Sequence, residues 1–208
     1  MKPYLLGIDI GTSACKVAVF EKSGTVVAAA NGDYPVYYPK EGWAEQNPEE
    51  WWSAVCQAVK KAIQKVGIAP EEIAGIGIDG QSWSAIAMDK DGNVLTNTPI
   101  WMDTRAQSIC DRLNEEIGAE QIFEVSGNSL QPSYTTAKIL WYKENLPEVY
   151  QRIHKILQSN SYIAYKLTGV MSQDVSQGYG LHCFDMRKAA WDLSLIHISE
   201  PTRLDVIS

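Results

Sequence analysis

The sequence predicts an α/β fold built on a mixed sheet, with a three-stranded meander at its start and helices on its flanks. Three observations predict it. Short apolar runs at residues 5–10, 14–20 and 25–30 are separated by polar turns carrying Gly11 and Gly24, the pattern of strands joined by tight hairpins. An amphipathic stretch with helix-start signals covers 48–66, and a short apolar run bounded by polar residues covers 73–79. Such a run is a strand buried on both faces, and it lies parallel to the first strand because the helix supplies the crossover that parallel pairing needs.

Each element follows in order. The first strand ends in Asp9-Ile10-Gly11-Thr12-Ser13, and Ala14 to Phe20 returns antiparallel to it. Glu21-Lys22-Ser23-Gly24 is a turn, and Thr25 to Ala30 completes the meander. A loop punctuated by Pro35, Pro39 and Gly42 then leads to Asn47-Pro48-Glu49-Glu50. That is a helix start, with Asn at the cap and Pro at the first helical position. Trp52, Val55, Val59, Ile63 and Val66 recur at helical spacing, and Gly67 stops the helix. After the strand at 73–79, Ser84 to Met88, the Asp89-Lys90-Asp91-Gly92 turn and Val94-Leu95 read as a hairpin. Helices follow to about Ile117, over Glu120 to Val125, Thr135 to Asn145, Pro147 to His154 and Ser161 to Leu167. There is no internal repeat or low-complexity tract.

At 208 residues the chain suits one large or two small domains, and with 45% hydrophobic and 21% charged residues it can build a core. A formal charge of −7 argues against a nucleic-acid partner, since basic residues gather only in short pairs such as Lys60-Lys61 on a solvated helix face. No segment approaches the length of a membrane span, and the N-terminus lacks a signal peptide's apolar region, so a cytoplasmic location is expected. Cys15, Cys56, Cys110 and Cys183 form no CxxC and read as small buried hydrophobes in a reducing compartment. His154, His182 and His197 show no ligand spacing and read as structural.

The first turn carries the chemistry. Gly11 lets a bulky anion approach the backbone, Thr12 and Ser13 add N–H and O–H donors, and Asp9 stands where a carboxylate can hold Mg²⁺ or its water shell. A tight hairpin with a surface Asp accounts for the same residues.

The element order is that of the ribonuclease-H-like fold of actin-like ATPases. Five blocks make the likeness specific: Gly7-Ile8-Asp9-Ile10-Gly11-Thr12-Ser13, Gly42-Trp43-Ala44-Glu45-Gln46-Asn47-Pro48-Glu49-Glu50-Trp51-Trp52, Gly77-Ile78-Asp79-Gly80-Gln81, Trp101-Met102-Asp103-Thr104-Arg105 and Lys138-Ile139-Leu140-Trp141. In order and spacing they resemble the N-terminal domain of the FGGY family of carbohydrate kinases, and are most similar to its xylulokinases. The resemblance implies a full-length parent that uses ATP and Mg²⁺ to phosphorylate a sugar hydroxyl, a ketopentose such as D-xylulose, and that can form a homodimer. Kinases of ribulose, fuculose, gluconate or glycerol and a non-catalytic sugar-binding module of the same fold are the alternatives, with another actin-like ATPase as a third.

Carried onto this sequence, the resemblance implies that Asp9 helps hold Mg²⁺ and that Gly11, Thr12 and Ser13 contact phosphates. Lys16 takes a position near the γ-phosphate or is a surface strand lysine. Gln81, Ser82 and Trp83 meet the sugar, where an indole can stack on its apolar face. Xylulokinases usually show Met-His where Ser82-Trp83 stands. Trp101 and Asp103 line the same pocket, with Arg105 orienting Asp103. Asp174 matches an acidic position near the sugar or caps a turn. Trp43, Trp51, Trp52 and Trp141 are expected to pack, and Glu45 and Gln46 belong to a loop block without an assigned role. The family's general base, an Asp at the hinge to a second, adenine-binding domain, is assigned to no residue of this chain. The expected organisation is therefore a sugar-binding and phosphate-loop domain over 1–193, inactive alone, and a tail over 194–208 that includes Asp205 and resembles translated adapter read-through.

Overall fold

In the computed structural model, residues 3–192 are described. Strict alternation in the first runs places β1 (Tyr4–Ile10), β2 (Ala14–Glu21) and β3 (Val26–Asp33) in an antiparallel meander. Ile10 faces Cys15, Ile8 faces Val17 and Leu6 faces Val19, all at most 3% exposed. A period-2 pattern with one apolar face has its register pinned, because a one-residue slip would turn this whole set to the other side.

Between the meander and the helix, β4 (Glu45–Gln46) is a two-residue strand. It leads into α1 (Pro48–Val66), whose cap is as expected: the Asn47 side chain accepts from the Glu49 N–H at 3.0 Å, and Gly67 closes the helix in the left-handed conformation. Such a cap stabilises a helix by about 1 kcal/mol. The buried face differs from the expected stripe. Trp51, Ala54, Val55, Ala58 and Ala62 point at the sheet, while Trp52, Val59, Ile63 and Val66 are half-buried at its flank. Small residues set this choice, because they let the helix lie close to β3. At Gly32 an added Cβ would stand 2.8 Å from the Ala54 carbonyl oxygen.

The helix returns the chain to β5 (Ile73–Gly80), parallel to β1 with Gly7 opposite Gly77 and Asp9 opposite Asp79, in the sheet order β3-β2-β1-β5. The crossover is the predicted one. Burial on both faces is not found: β5 is an edge strand and Ile76 is 47% exposed.

The expected hairpin after β5 is found: Met88 bridges Val94, and the Leu95 N–H donates to Ala87 O at 2.9 Å. The Asp89 carboxylate holds its turn, accepting from the Asp91 and Asn93 N–H groups at 2.9 Å, and β6 (Ile86–Met88) takes a further ladder from a remote strand. Two-residue β7 (Thr98–Pro99) pairs with β4. α2 (Gln107–Leu113) runs on through a π-helical turn at 114–118, and Gly118, at φ 98° and ψ 124°, breaks it from α3 (Ala119–Ser126), as the two expected helices require. α4 (Thr135–Asn145) and α5 (Pro147–Arg152) precede β8 (Lys155–Leu157), the antiparallel partner of β6. α6 (Ser159–Thr168), a 3-10 turn at 175–180, and the pair β9 (Phe184–Asp185) and β10 (Ala190–Trp191) complete the described chain.

Two cores result, and β6 divides them by its alternation. Ile86 and Met88 join the sheet core with Ile8, Ile10 and Trp51, whereas Ala85 and Ala87 join a helical core with Ile109, Leu140 and Tyr142. Cys15, Cys110 and Cys183 are buried free thiols; Cys56 is half-buried, a correction to its expected place in the core. Among the described residues no helix is long and apolar enough to cross a membrane. The expected boundary at 193 and the tail 194–208, with His197 and Asp205, lie outside the described residues.

Candidate functional site

The turn at 11–13 is held from beneath by side chains of three other elements. Its carbonyls point inward: Gly11 O accepts from the Tyr34 hydroxyl at 2.6 Å, and Thr12 O accepts from Gln46 Nε2 at 2.8 Å. Trp101 Nε1 donates to Thr12 Oγ1 at 3.0 Å. Gln46 is fully buried, and its Oε1 accepts from Gln81 Nε2 at 2.7 Å. Sequence reasoning left Gln46 without a role; here it ties the turn to the end of β5.

Asp9 and Lys16 face each other across β1 and β2, 3.8 Å apart, with side chains 49% and 75% exposed. Exposed pairs at this separation are weakly coupled, so the Asp9 carboxylate is available to a cation. Asp79 flanks Asp9 on the other side. All three line a shallow depression of about 950 Å³ on the sheet face opposite α1, floored by Gly7, Ala18 and Gly77.

The segment after β5 carries an aromatic cluster. The Trp83 ring centre is 4.5 Å from that of Tyr134 and 6.4 Å from that of Tyr179, the latter nearly parallel at 25°. Tyr134 meets His182 edge-on at 5.1 Å. Burial, then a hydrogen bond with Tyr179, pushes the Tyr134 hydroxyl up to about 12, and burial pulls His182 down to about 4, so the imidazole is neutral. Sequence reasoning missed Tyr134 and Tyr179. Tyr134 had a usable signal, its place one residue before α4, the helix bearing the fifth motif block; Tyr179 had none.

Asp103 is held by Arg105, the residue expected to orient it, and Asp174 stands in the turn-capping place given as its alternative. Asp103 is fully buried and saturated. Its Oδ2 accepts from the Ala44 N–H and Arg105 Nη2, both at 2.7 Å, and its Oδ1 from the Arg105 N–H at 3.0 Å. Arg105 also reaches Glu45 at 2.9 Å and lies 3.7 Å from the Trp43 ring centre and 5.0 Å from that of Trp141. Burial alone would lower the guanidinium pKa, but Asp103 and Glu45 hold it above its ordinary value. Three of the five motif blocks thus meet in one structural ion-pair network. Asp174 caps the 3-10 turn, accepting from the Ser176 N–H at 2.9 Å and Asn160 Nδ2 at 2.8 Å. Burial would raise its pKa; these hydrogen bonds hold it below the usual carboxylate range.

The arrangement therefore brings Gly11, Thr12, Ser13, Gln81 and Trp101 together, leaves Asp9 and Lys16 open on the sheet face, and sets Trp83 into an aromatic wall. The sequence profile of the FGGY family of carbohydrate kinases, N-terminal domain, matches residues 4–206. A xylulose kinase of Staphylococcus xylosus is 31% identical over 194 residues, covering 93% of this chain and 40% of the relative. A glycerol kinase of Thermococcus gammatolerans is 29% identical over 202 residues, covering 95% and 41%. A ligand-bound xylulose kinase structure from Lactobacillus acidophilus superposes with a TM-score of 0.90 at 29% identity, covering 99% of this chain and 42% of that one. The architecture is the ribonuclease-H-like fold of actin-like ATPases that the element order predicts. The chain spans about two fifths of the length of these relatives.

Proposed function

Because the chain belongs to the FGGY family of carbohydrate kinases, we propose that its parent protein transfers the γ-phosphoryl group of ATP to a hydroxyl of a ketose or polyol, D-xylulose foremost. In this reading the chain supplies the phosphate turn and one wall of the acceptor site. The observation that carries it is the direct bond between Gln46 and Gln81, which joins the turn at 11–13 to the segment bearing Ser82 and Trp83. Phosphoryl transfer asks a protein mainly to hold acceptor and γ-phosphate in line and to balance developing charge, so a rigid tie between the two sites is what that chemistry needs.

The residues divide the work accordingly. With the Gly11 and Thr12 carbonyls turned inward, the Thr12 and Ser13 donors are left for phosphate oxygens. The exposed carboxylate of Asp9 fits a Mg²⁺ that keeps most of its water, and the ion would neutralise charge on the phosphates. Trp83 offers its indole and Ser82 its hydroxyl to the acceptor. The Gln81 Oε1 is buried without a hydrogen-bond partner. Asp103 is left out of the acceptor set. The general base and the adenine contacts are expected from the part of the relatives that this chain does not span.

Ser82-Trp83 in place of the usual Met-His keeps D-ribulose, D-gluconate and glycerol in view as acceptors. Isothermal titration of the chain with these and D-xylulose, and separately with Mg·ATP, tests the proposal. Binding of D-xylulose together with Mg·ATP is expected. Binding of Mg·ATP with none of the four polyols would overturn the sugar-kinase reading in favour of another actin-like ATPase.

A further inference from the structure

Lys138 is fully buried on α4, and among the described residues it makes no salt bridge, Asp103 acting on it only at a distance. Its ammonium donates to two backbone carbonyls, Trp83 O at 2.7 Å and Ser133 O at 2.6 Å. Trp83 in turn has φ of 67°, the left-handed region that a bulky side chain rarely adopts. Such a conformation persists only where its surroundings over-determine it.

Here they do. The Trp83 N–H donates to Gln158 Oε1 at 2.7 Å, from a glutamine that is itself fully buried. Upstream, Ser159 Oγ donates to Gln81 O at 2.6 Å. Downstream, the Ala85 N–H donates to Thr98 Oγ1 at 3.1 Å and Ala85 O accepts from the Tyr142 hydroxyl at 2.9 Å. The path from β5 to β6 is held by buried side chains rather than by a ladder. At Gly180 an added Cβ would stand 2.6 Å from Trp83 Cδ1, so the indole lies where only glycine leaves room. Taking an ammonium out of water is costly, and burial pulls Lys138 down to about 7; the chain retains it at the carbonyl of its one left-handed tryptophan.

We infer that Lys138 is a positioning residue, whose ammonium clamps the left-handed turn at Trp83 and so fixes where the Trp83 indole and the Ser82 hydroxyl stand toward a polyol acceptor. The orientation toward an acceptor rests on the proposed function; the clamp itself does not.

The test uses the 208-residue chain with Lys138→Met, which keeps the volume and removes the charge. Hydrogen exchange should show the Trp83 and Ala85 amides losing protection by about tenfold or more, with the amides of β1 and β2 unchanged. D-Xylulose affinity should fall by a similar factor. The Trp83→Gly background supplies the second readout, because glycine adopts positive φ without a clamp. There Lys138→Met should lower the melting temperature less than it does in the wild-type background. Equal lowering in both backgrounds, or unchanged exchange at Trp83, would overturn the clamp. If Lys138→Met does not fold, rescue by Trp83→Gly supports the clamp and failure of rescue overturns it. Absence of D-xylulose binding by the wild-type chain, with the exchange difference intact, would count against the acceptor reading alone.

Discussion

Gln81 Nε2 donates to Gln46 Oε1 at 2.7 Å, and Gln46 Nε2 donates onward to Thr12 O at 2.8 Å. Two amides thus connect the segment after β5 to the turn after β1 without passing through the β1–β5 ladder. Replacing Gln46 with Leu takes the donor from both Thr12 O and Pro35 O and leaves Gln81 Nε2 only its 3.5 Å contact with Gly11 O. Each buried polar group left without a partner costs about 1–3 kcal/mol, so Gln46→Leu should lower the melting temperature by at least several degrees. It should also weaken Mg·ATP binding in titration. Unchanged nucleotide affinity in a folded variant would separate the turn from phosphate.

Asp9 should behave in the opposite way. Its carboxylate is half-exposed and only loosely paired with Lys16, so Asp9→Asn is expected to leave stability within about 0.5 kcal/mol in urea titration. Titration with ATP should lose its Mg²⁺ dependence: wild type binds Mg·ATP more tightly than ATP in chelator, and the variant binds both alike. A variant that keeps the difference removes Asp9 from the cation site.

How far the molecule is legible in the sequence depends on whether its cause is local. The meander and the cap of α1 follow from alternation and from Asn47-Pro48, signals carried within a few residues. The buried face of α1 was misread because large side chains dominate a periodicity count, while Ala54, Ala58 and Ala62 set the contact with the sheet. The turn signal at Asp89 gave the local pairing of Met88 with Val94, but the second partner of β6, at Leu157, is far along the chain. At the site, the pairing of Asp103 with Arg105 was readable because the two lie two residues apart in one motif block, whereas the completeness of Asp103's burial depends on Ala44 and Glu45 from a distant block. Tyr179 lies in a stretch without periodicity, and only the tertiary fold brings it to Trp83.

The Asp103–Arg105 pair predicts a purely structural phenotype. Removing one partner of a buried pair leaves the other charged and uncompensated, at a cost of about 3–5 kcal/mol. Arg105→Met strands both Asp103 and Glu45 and should be more damaging than Glu45→Gln, whose carboxylate keeps some solvent contact. Urea unfolding of the two variants checks the order. Near-wild-type stability of Arg105→Met would mean that the network is not what joins the three motif blocks.

His182 gives the chain a stability step in mild acid. Burial holds the folded imidazole at about 4 against an ordinary value of 6.5. The unfolded state therefore binds more protons between these values, and stability rises with pH across the window. It is complete above about 6.5 and falls as pH drops toward about 4, with a span of up to about 3 kcal/mol from the shift alone. Asp174 cannot produce this step, because its lowered pKa moves its own loss of stability to more acid conditions. Unfolding in urea at pH 5 and pH 7.5 should show wild type losing stability at the lower pH and His182→Gln losing much less. The glutamine amide can still reach the Ser129 carbonyl that accepts from His182 Nε2 at 3.3 Å when that nitrogen carries the proton. An equal loss in both proteins would mean that the imidazole is protonated in the folded chain and that the wall formed with Tyr134 carries a charge.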